Sequence, residues 1–303
     1  MRHPAPEQLI DALGEPLVVI QRSALRDILT AAAGPGTVEY GVAAQDLVAT
    51  VDGMQIRLSN GTTRHANAVV GADGIGSMVA RYLNGPLTRR YADYTAWRGI
   101  ANCAIDADLA GGTLGPGIET GHVPIGADCT YWYATERAPE GRFSRDGELS
   151  HLRTMLAGWP EPIPSVLAAT NPDDVLRNDL YDREPARHWA RGAVVLVGDA
   201  AHPMRPHLGQ GGCQGLEDAA ILAAFVERTS DLPTAFARFA TFRRPRIRSL
   251  VRESALLGRV INLRPALLSA IASRATALVP EALFVRHLAA VAARSAFVLP
   301  ADP

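Results

Sequence analysis

The spacing of apolar positions changes character several times along this chain. Residues 1–15 are polar and carry no period, Pro16–Ile20 reads as a short strand, and Arg22–Ala33 places Leu25, Ile28 and Leu29 on one side of a helix. Strand-like pieces follow, with Val51, Met54, Ile56 and Leu58 carrying the alternation and Asp52-Gly53 and Asn60-Gly61 as hairpin turns. Two similar events stand out after that. Ala68-Val69-Val70 runs into Gly71-Ala72-Asp73-Gly74 and then a helix start with Ser77 available as a cap. Ala193–Val197 runs into Gly198-Asp199, then a turn held irregular by Pro203, Pro206, Gly209, Gly211 and Gly212. Helical spacing resumes at Leu216, with Ala219, Ala220 and Ala223. Continuous β-branched runs of this kind suit strands buried on both faces of a parallel sheet.

Residues 89–180 read differently. Tyr94–Ile100, His122–Ile125 and Thr130–Thr135 alternate and are rich in aromatic and β-branched residues, with glycine-rich separators such as 111–117. This predicts an antiparallel sheet, one face of which can wall a ligand. Tyr131 and Tyr133 share a face and Trp132 takes the other, while Trp97 and Arg98 point opposite ways. One set packs on the core and the other lines a pocket, so Trp97, Arg98, Tyr131 and Tyr133 are the candidate ligand contacts. A helix is expected over 147–158, broken by prolines 160, 162 and 164. Helices dominate afterwards. Residues 233–257 carry Arg243, Arg244, Arg246, Arg248 and Arg252 around Pro245, and 265–299 is Ala- and Leu-rich, reading as amphipathic helices that pack on the body or form a homodimer with a second copy.

Composition narrows the function. The 303 residues allow one large or two moderate domains, and a formal net charge of −1 excludes a dedicated nucleic-acid binder. The arginine run therefore reads as a solvated helix face with ion pairs. The chain contains no lysine, which rules out a P-loop or Schiff-base lysine. Cys103, Cys129 and Cys213 are odd in number and far apart, which suits a reducing compartment. No secretory signal opens the chain and no apolar run reaches the length of an integral membrane segment, so the expectation is a cytoplasmic protein. His202, His207 and Cys213 match no common zinc spacing, and no metal is expected.

The chemistry concentrates around Asp199. A carboxylate at the carboxyl end of a buried strand stands where open α/β sheets bind ligands, and it accepts hydrogen bonds from sugar-like hydroxyls. Glycines beside a helix start aim bare backbone N–H groups at a phosphate or a flat ring. The full run is Gly198-Asp199-Ala-Ala-His202-Pro203, then Pro206-x-x-Gly209-Gln210-Gly211-Gly212, then Glu217-Asp218-Ala219. It resembles the second FAD fingerprint of the FAD-dependent monooxygenases, the aromatic-ring hydroxylases of p-hydroxybenzoate hydroxylase type. The resemblance implies that Asp199 meets the ribityl chain. It also implies that Gly198, Pro206, Gly209, Gln210, Gly211 and Gly212 face the pyrophosphate and the polar edge of the flavin ring. Asp73 and Gly74 resemble the family's Asp-Gly motif, which holds FAD and the nicotinamide donor. The match departs at Ala80, where the family usually has Arg; Arg81 follows one place later. Arg22 resembles the family's arginine that opens a helix and touches FAD phosphate, and equally reads as a solvated helix-start residue.

By this resemblance the fold is α/β: an incomplete Rossmann-like FAD-binding domain with an inserted antiparallel β-sheet substrate domain and C-terminal helices. Residues 1–88 and 181–230 would carry the FAD motifs, 89–180 the substrate sheet and 231–303 the helices. The implied activity is an FAD-dependent monooxygenase using NADH or NADPH and dioxygen to hydroxylate or epoxidise a small aromatic or unsaturated substrate. The strand, GxGxxG, helix unit that usually opens a dinucleotide site has no counterpart before Arg22. The alternative is thus a truncated, catalytically inactive remnant or partner subunit, and residues 1–303 alone are expected to come out colourless or aggregation-prone. A flavin halogenase is a further rival, but its Trp-x-Trp-x-Ile-Pro signature is missing.

Overall fold

The computed structural model describes residues 10–11, 18–261, 266–275 and 280–292. The fold is mixed α/β, and over the described residues it divides into two compact units. The first takes Met1–Ala32, Tyr91–Leu180 and Arg259–Arg294, the second Ala33–Arg90, Tyr181–Gly258 and Ser295–Pro303.

The second unit holds two small sheets. Strands β1 (Ala44–Thr50), β2 (Gly53–Leu58) and β3 (Thr63–Ala66) form an antiparallel meander, turning at the two predicted hairpins. Strand β4 (Val69–Gly71) runs parallel to β11 (Val194–Leu196), and β10 (Ala190–Arg191) closes the other edge. The β11 residues are all buried, as a continuous apolar run requires. Gly71 is obligatory here: a Cβ would lie 2.6 Å from Val79 Cβ and 2.9 Å from Leu196 Cδ2. The glycine lets the helix Met78–Asn84 lie against the strand pair.

The first unit is built on a five-stranded antiparallel sheet in the order β6-β7-β8-β5-β9. Its strands are β5 (Arg90–Ala101), β6 (Gly111–Gly115), β7 (Ile118–Ile125), β8 (Cys129–Glu136) and β9 (Leu176–Asp182). The stretch 111–117, expected as a separator, instead supplies β6. Its glycines are tolerated because β7 pairs with it in a tight hairpin, Gly111 to Gly115 against His122 to Ile118. Trp97, Trp132, Leu149, Leu152, Ile163 and Val166 form the core between this sheet and helices Glu148–Met155 and Ile163–Ala168. The predicted helix ends at Met155, before Pro160, and the next one, Ile163–Ala168, follows Pro162 and carries Pro164 in its first turn, where the missing N–H costs least.

Three further expectations change. Residues 18–20 form no strand, and Pro16 and Leu17 lie outside the described residues. The helix expected from Leu216 begins at Gly211 and runs to Arg228. Its first turn needs no intrahelical N–H partners, so glycine's poor propensity costs least there. The arginine run lies on one helix, Leu232–Ile261, which continues through Pro245. Arg243 in that run is fully buried, so the solvated-face reading fails at this position. Of the predicted tail, Ala266–Ala275 and Glu281–Ala292 are helices, and Arg264 and Arg294 lie outside the described residues.

Candidate functional site

The parallel register sets the geometry. Gly71 pairs with Leu196, and Val197 N donates to Gly71 O at 3.0 Å. The Asp73 loop and the Asp199 loop therefore leave neighbouring strands at the same, carboxyl end, where a parallel sheet binds ligands.

In the first loop, Asp73 works as a helix cap. One carboxylate oxygen accepts from Ser77 Oγ, and the other accepts from Met78 N at 2.7 Å and Val79 N at 3.3 Å. Ser77 Oγ in turn accepts from Ala80 N at 2.8 Å. Negative charge at a helix N-terminus is favourable by itself, so the motif has a structural job as well as any ligand role. Gly74 takes a left-handed φ of 74°, and nothing stands within 4 Å of where its Cβ would be.

The second loop is anchored by a buried carboxylate, Asp218, which the sequence places in the motif but without a role. Asp218 Oδ2 accepts from Gly198 N at 2.8 Å and from His202 Nε2 at 2.6 Å, and Asp218 Oδ1 accepts from Arg243 Nε at 2.7 Å. Arg243 also donates to Glu217 Oε1 at 2.7 Å and Gln214 Oε1 at 2.9 Å. His202 is buried and packs at 5.1 Å, centroid to centroid, against Trp189. Burial alone would raise the Asp218 pKa. The hydrogen bond and charge of His202, the Arg243 guanidinium and the Gly198 N–H outweigh it and hold the carboxyl below its ordinary range. The Glu217-Asp218 pair was visible as part of the motif. Its partner Arg243 sits 25 residues on, inside what reads as a solvated run, and no local signal marks it.

These anchors leave Asp199 exposed, and among the described residues its carboxylate has no hydrogen-bond partner. Its Oδ1 lies 3.9 Å from where a Cβ on Gly211 would be, so the carboxylate stands over the start of helix Gly211–Arg228. That helix has no side-chain cap and no acid in its first turn, leaving its first N–H groups available to an anion. Pro206 opens the 3₁₀ turn that ends at Gly209 in a left-handed conformation, φ 65°, with Gln210 next. No atom approaches within 4 Å of a Cβ at Gly209 or Gly212. Bare backbone, an uncapped helix start and the exposed Asp199 carboxylate fit a ligand with hydroxyls and phosphate. Asp73, Gly74, Gly198, Asp199, Pro206, Gly209, Gln210, Gly211 and Gly212 thus all belong to the second unit. Among the described residues, no cluster of three or more His, Cys, Asp or Glu suits a metal ion.

In the first unit the sheet separates the other candidates by face. Arg98 pairs directly with Tyr133, and Ile100 with Tyr131. Trp97 is on the opposite face, buried in the core, with its indole N–H donating to Glu148 Oε2 at 2.6 Å. Tyr133 lies flat across Gly121, where a Cβ would come within 2.2 Å of its ring, and its OH donates to Glu119 Oε1 at 2.9 Å. Burial, then the charge and hydrogen bond of Glu119, push the Tyr133 phenol far above its ordinary pKa. Burial raises Tyr131 as well, against the opposing charges of Arg98 and Arg22. Both phenols are therefore neutral hydrogen-bonding groups at physiological pH. Arg98 Nη1 donates to Asn178 Oδ1 at 3.0 Å. Arg22 begins helix Arg22–Ala33, is exposed, and also belongs to this unit. Glu119 and Asn178 were not singled out from the sequence, since single polar residues in strands carry no mark of which face they take.

Among the described residues, no helix is long and apolar enough to cross a membrane. A family model described as an FAD binding domain matches residues 133–254. The chain is 37% identical over 250 residues to an aurachin C monooxygenase/isomerase of Stigmatella aurantiaca, covering 82% of this chain and 65% of the relative. It is 30% identical over 253 residues to an FAD-dependent urate hydroxylase of Klebsiella pneumoniae, covering 81% and 65%. The chain therefore spans just under two thirds of the length of these relatives. Among solved structures, Klebsiella pneumoniae HpxO complexed with FAD and uric acid superposes with a TM-score of 0.87 at 26% identity, over 94% of this chain and 75% of that one. A salicylate hydroxylase substrate complex shares the fold, with a TM-score of 0.67 at 22% identity over 94% of this chain and 77% of that one. With its two Asp-bearing loops on neighbouring parallel strands and these relatives beside it, the chain belongs to the FAD-binding monooxygenase family.

Proposed function

We propose that this protein binds FAD and acts as an NADH- or NADPH-dependent monooxygenase, hydroxylating or epoxidising a small aromatic or unsaturated organic substrate in the cytoplasm. The observation that carries this reading is the pair of carboxylate loops beside an uncapped, glycine-lined helix start. Asp199 would accept hydrogen bonds from ribityl hydroxyls. The Gly209–Gly212 backbone would face pyrophosphate and the polar flavin edge, and Asp73 with Gly74 would border the same ligand. For Arg22, contact with FAD phosphate and a solvated helix start are equal readings. By the same reading residues 1–88 and 181–230 would supply the FAD-binding segments, 89–180 the substrate sheet and 231–303 the C-terminal part.

Bound FAD would supply the redox chemistry, so that NAD(P)H, a proton, dioxygen and substrate give NAD(P)⁺, water and the oxygenated product. The chain's own residues bind and orient. Arg98, Tyr131 and Tyr133 share one face of the sheet and bring two phenol rings and a guanidinium to it, suited to a flat substrate with few polar anchors. Trp97 supports that surface from the core side. The uncharged phenols add no fixed anion beside a substrate that must shed water. No nucleophile or acid–base dyad is called for.

The test is a titration of the purified chain with FAD, followed by NAD(P)H oxidation with oxygen uptake and ¹⁸O₂ incorporation into product. A perturbed flavin spectrum with label in the product is expected. FAD binding without oxygen uptake would favour the inactive-remnant reading, and failure to bind FAD would overturn the assignment.

A further inference from the structure

The Asp73 loop and the Asp199 loop share one buried cation, Arg183, which is 4% exposed. Its Nε donates to Ile75 O at 3.1 Å in the first loop. Its Nη2 donates to Asp199 O at 3.0 Å and Ala200 O at 2.8 Å in the second, and its Nη1 donates to Glu184 O at 3.2 Å. Every one of these acceptors is a backbone carbonyl, so the guanidinium turns the carbonyls of both loops inward to itself. The Asp199 carboxylate is left exposed, while that of Asp73 stays on its own helix. Desolvation, with the charge of Arg81 beside it, weighs against the buried cation more than the charges of Asp199 and Asp73 favour it.

We propose that Arg183 is the positioning residue that couples the two loops, so that they hold a ligand as one element and not as two independent contacts. Identifying that ligand as FAD rests on the reading above; the coupling itself does not. Only a planar fork of five donors reaches three chain segments at once, and a lysine ammonium is a single point. The loops otherwise have separate anchors. Asp73 closes on its own helix, and Asp218 holds the second loop through Gly198 and His202. Arg183 bridges both.

Hydrogen exchange by mass spectrometry on the full chain tests this without cofactor. Arg183→Met should speed exchange across residues 73–78 and 198–202 together, on the order of tenfold, while helix Leu232–Ile261 keeps its protection. Should Arg183→Met fail to fold, Arg183→Lys retains charge but not the fork and should loosen the same two stretches. In the native background, Asp218→Asn should loosen 198–202 and, through Arg183, 73–78. With Arg183→Lys in place, Asp218→Asn should add nothing at 73–78, a non-additivity that an ordinary packing role would not produce. In Arg183→Met, exchange rising in one loop only or throughout the chain would overturn the proposal, as would strictly additive effects of the two substitutions at 73–78. FAD titration of the same variants is the second readout, with affinity falling at least tenfold in Arg183→Met and partly restored in Arg183→Lys. If the unaltered chain binds no FAD, the functional reading fails, and the exchange result still decides the coupling.

Discussion

Two aspartates that look alike in the sequence have different tasks in the structure. Asp73 spends its carboxylate on the helix Met78–Asn84, whereas Asp199 is exposed and makes no side-chain hydrogen bond among the described residues. Their replacements should separate accordingly. Asp199→Ala is expected to leave stability within about 0.5 kcal/mol, as surface substitutions do. It should weaken FAD roughly ten- to a hundredfold, since a charged hydrogen bond contributes about 1.5–3 kcal/mol and about 1.4 kcal/mol is a factor of ten. Asp73→Ala should cost about 1 kcal/mol of stability through the lost cap, whatever it does to ligand. Urea unfolding and flavin titration of both variants provide the comparison. An Asp199→Ala protein with native affinity would remove Asp199 from the proposed site.

At the scale of elements, what could be read in advance follows from how local the cause is. The helix Arg22–Ala33, both hairpin turns and the strand–Asp–helix passage at 69–84 formed as their spacing required, because turn chemistry and capping act within a few residues. The alternation sets Trp132 opposite Tyr131 and Tyr133, and Trp97 opposite Arg98, but not how the two strands align, so it leaves Trp97 among the ligand contacts where the structure buries it in the core. The helix start at Gly211, strand β6 and the burial of Arg243 escaped, because each is decided by a distant partner that overrides local propensity. Gly121 is a case where the partner's shape decides. Its missing Cβ is what lets Tyr133 lie flat over β7 and reach Glu119. Gly121→Ala should displace that ring, destabilise the sheet by about 1–3 kcal/mol through overpacking, and alter substrate preference or coupling with FAD affinity unchanged. Thermal unfolding beside product-to-NAD(P)H ratios would show it. A variant with native stability and coupling would mean that Tyr133 can move at no cost.

Across the whole molecule, 30 arginines and 31 acids leave almost no net charge at pH 7, but in acid the arginines stay charged as the carboxylates neutralise, so growing self-repulsion forms a background to any single group. On that background stand individual carboxylates whose charge the fold protects, among them Asp218 in the second unit and Asp179 in the first. Asp218 is held below its ordinary range by His202, Arg243 and the Gly198 N–H, against burial. Asp179 is held low, again against burial, by the Gly141 N–H, the Thr95 hydroxyl and Arg177. A carboxyl whose pKa is depressed by folding stabilises the native state above its unfolded value, about 3.9, and that contribution drains away as pH falls through the folded value. Both units should therefore be at full strength near neutrality and weaken together below about pH 4. Asp218→Asn removes the charge between Arg243 and His202, and losing one partner of a buried ion pair costs about 3–5 kcal/mol. The variant should be much less stable than the parent at pH 7 and nearer to it at pH 3, since the parent has by then begun to lose the same charge. Asp179→Asn should behave likewise on a smaller scale, with the loss confined to the first unit in amide exchange. Denaturant midpoints measured from pH 3 to pH 8 decide the matter. Parallel curves, with the Asp218→Asn deficit constant across that range, would mean that Asp218 does not carry the acid sensitivity of its unit.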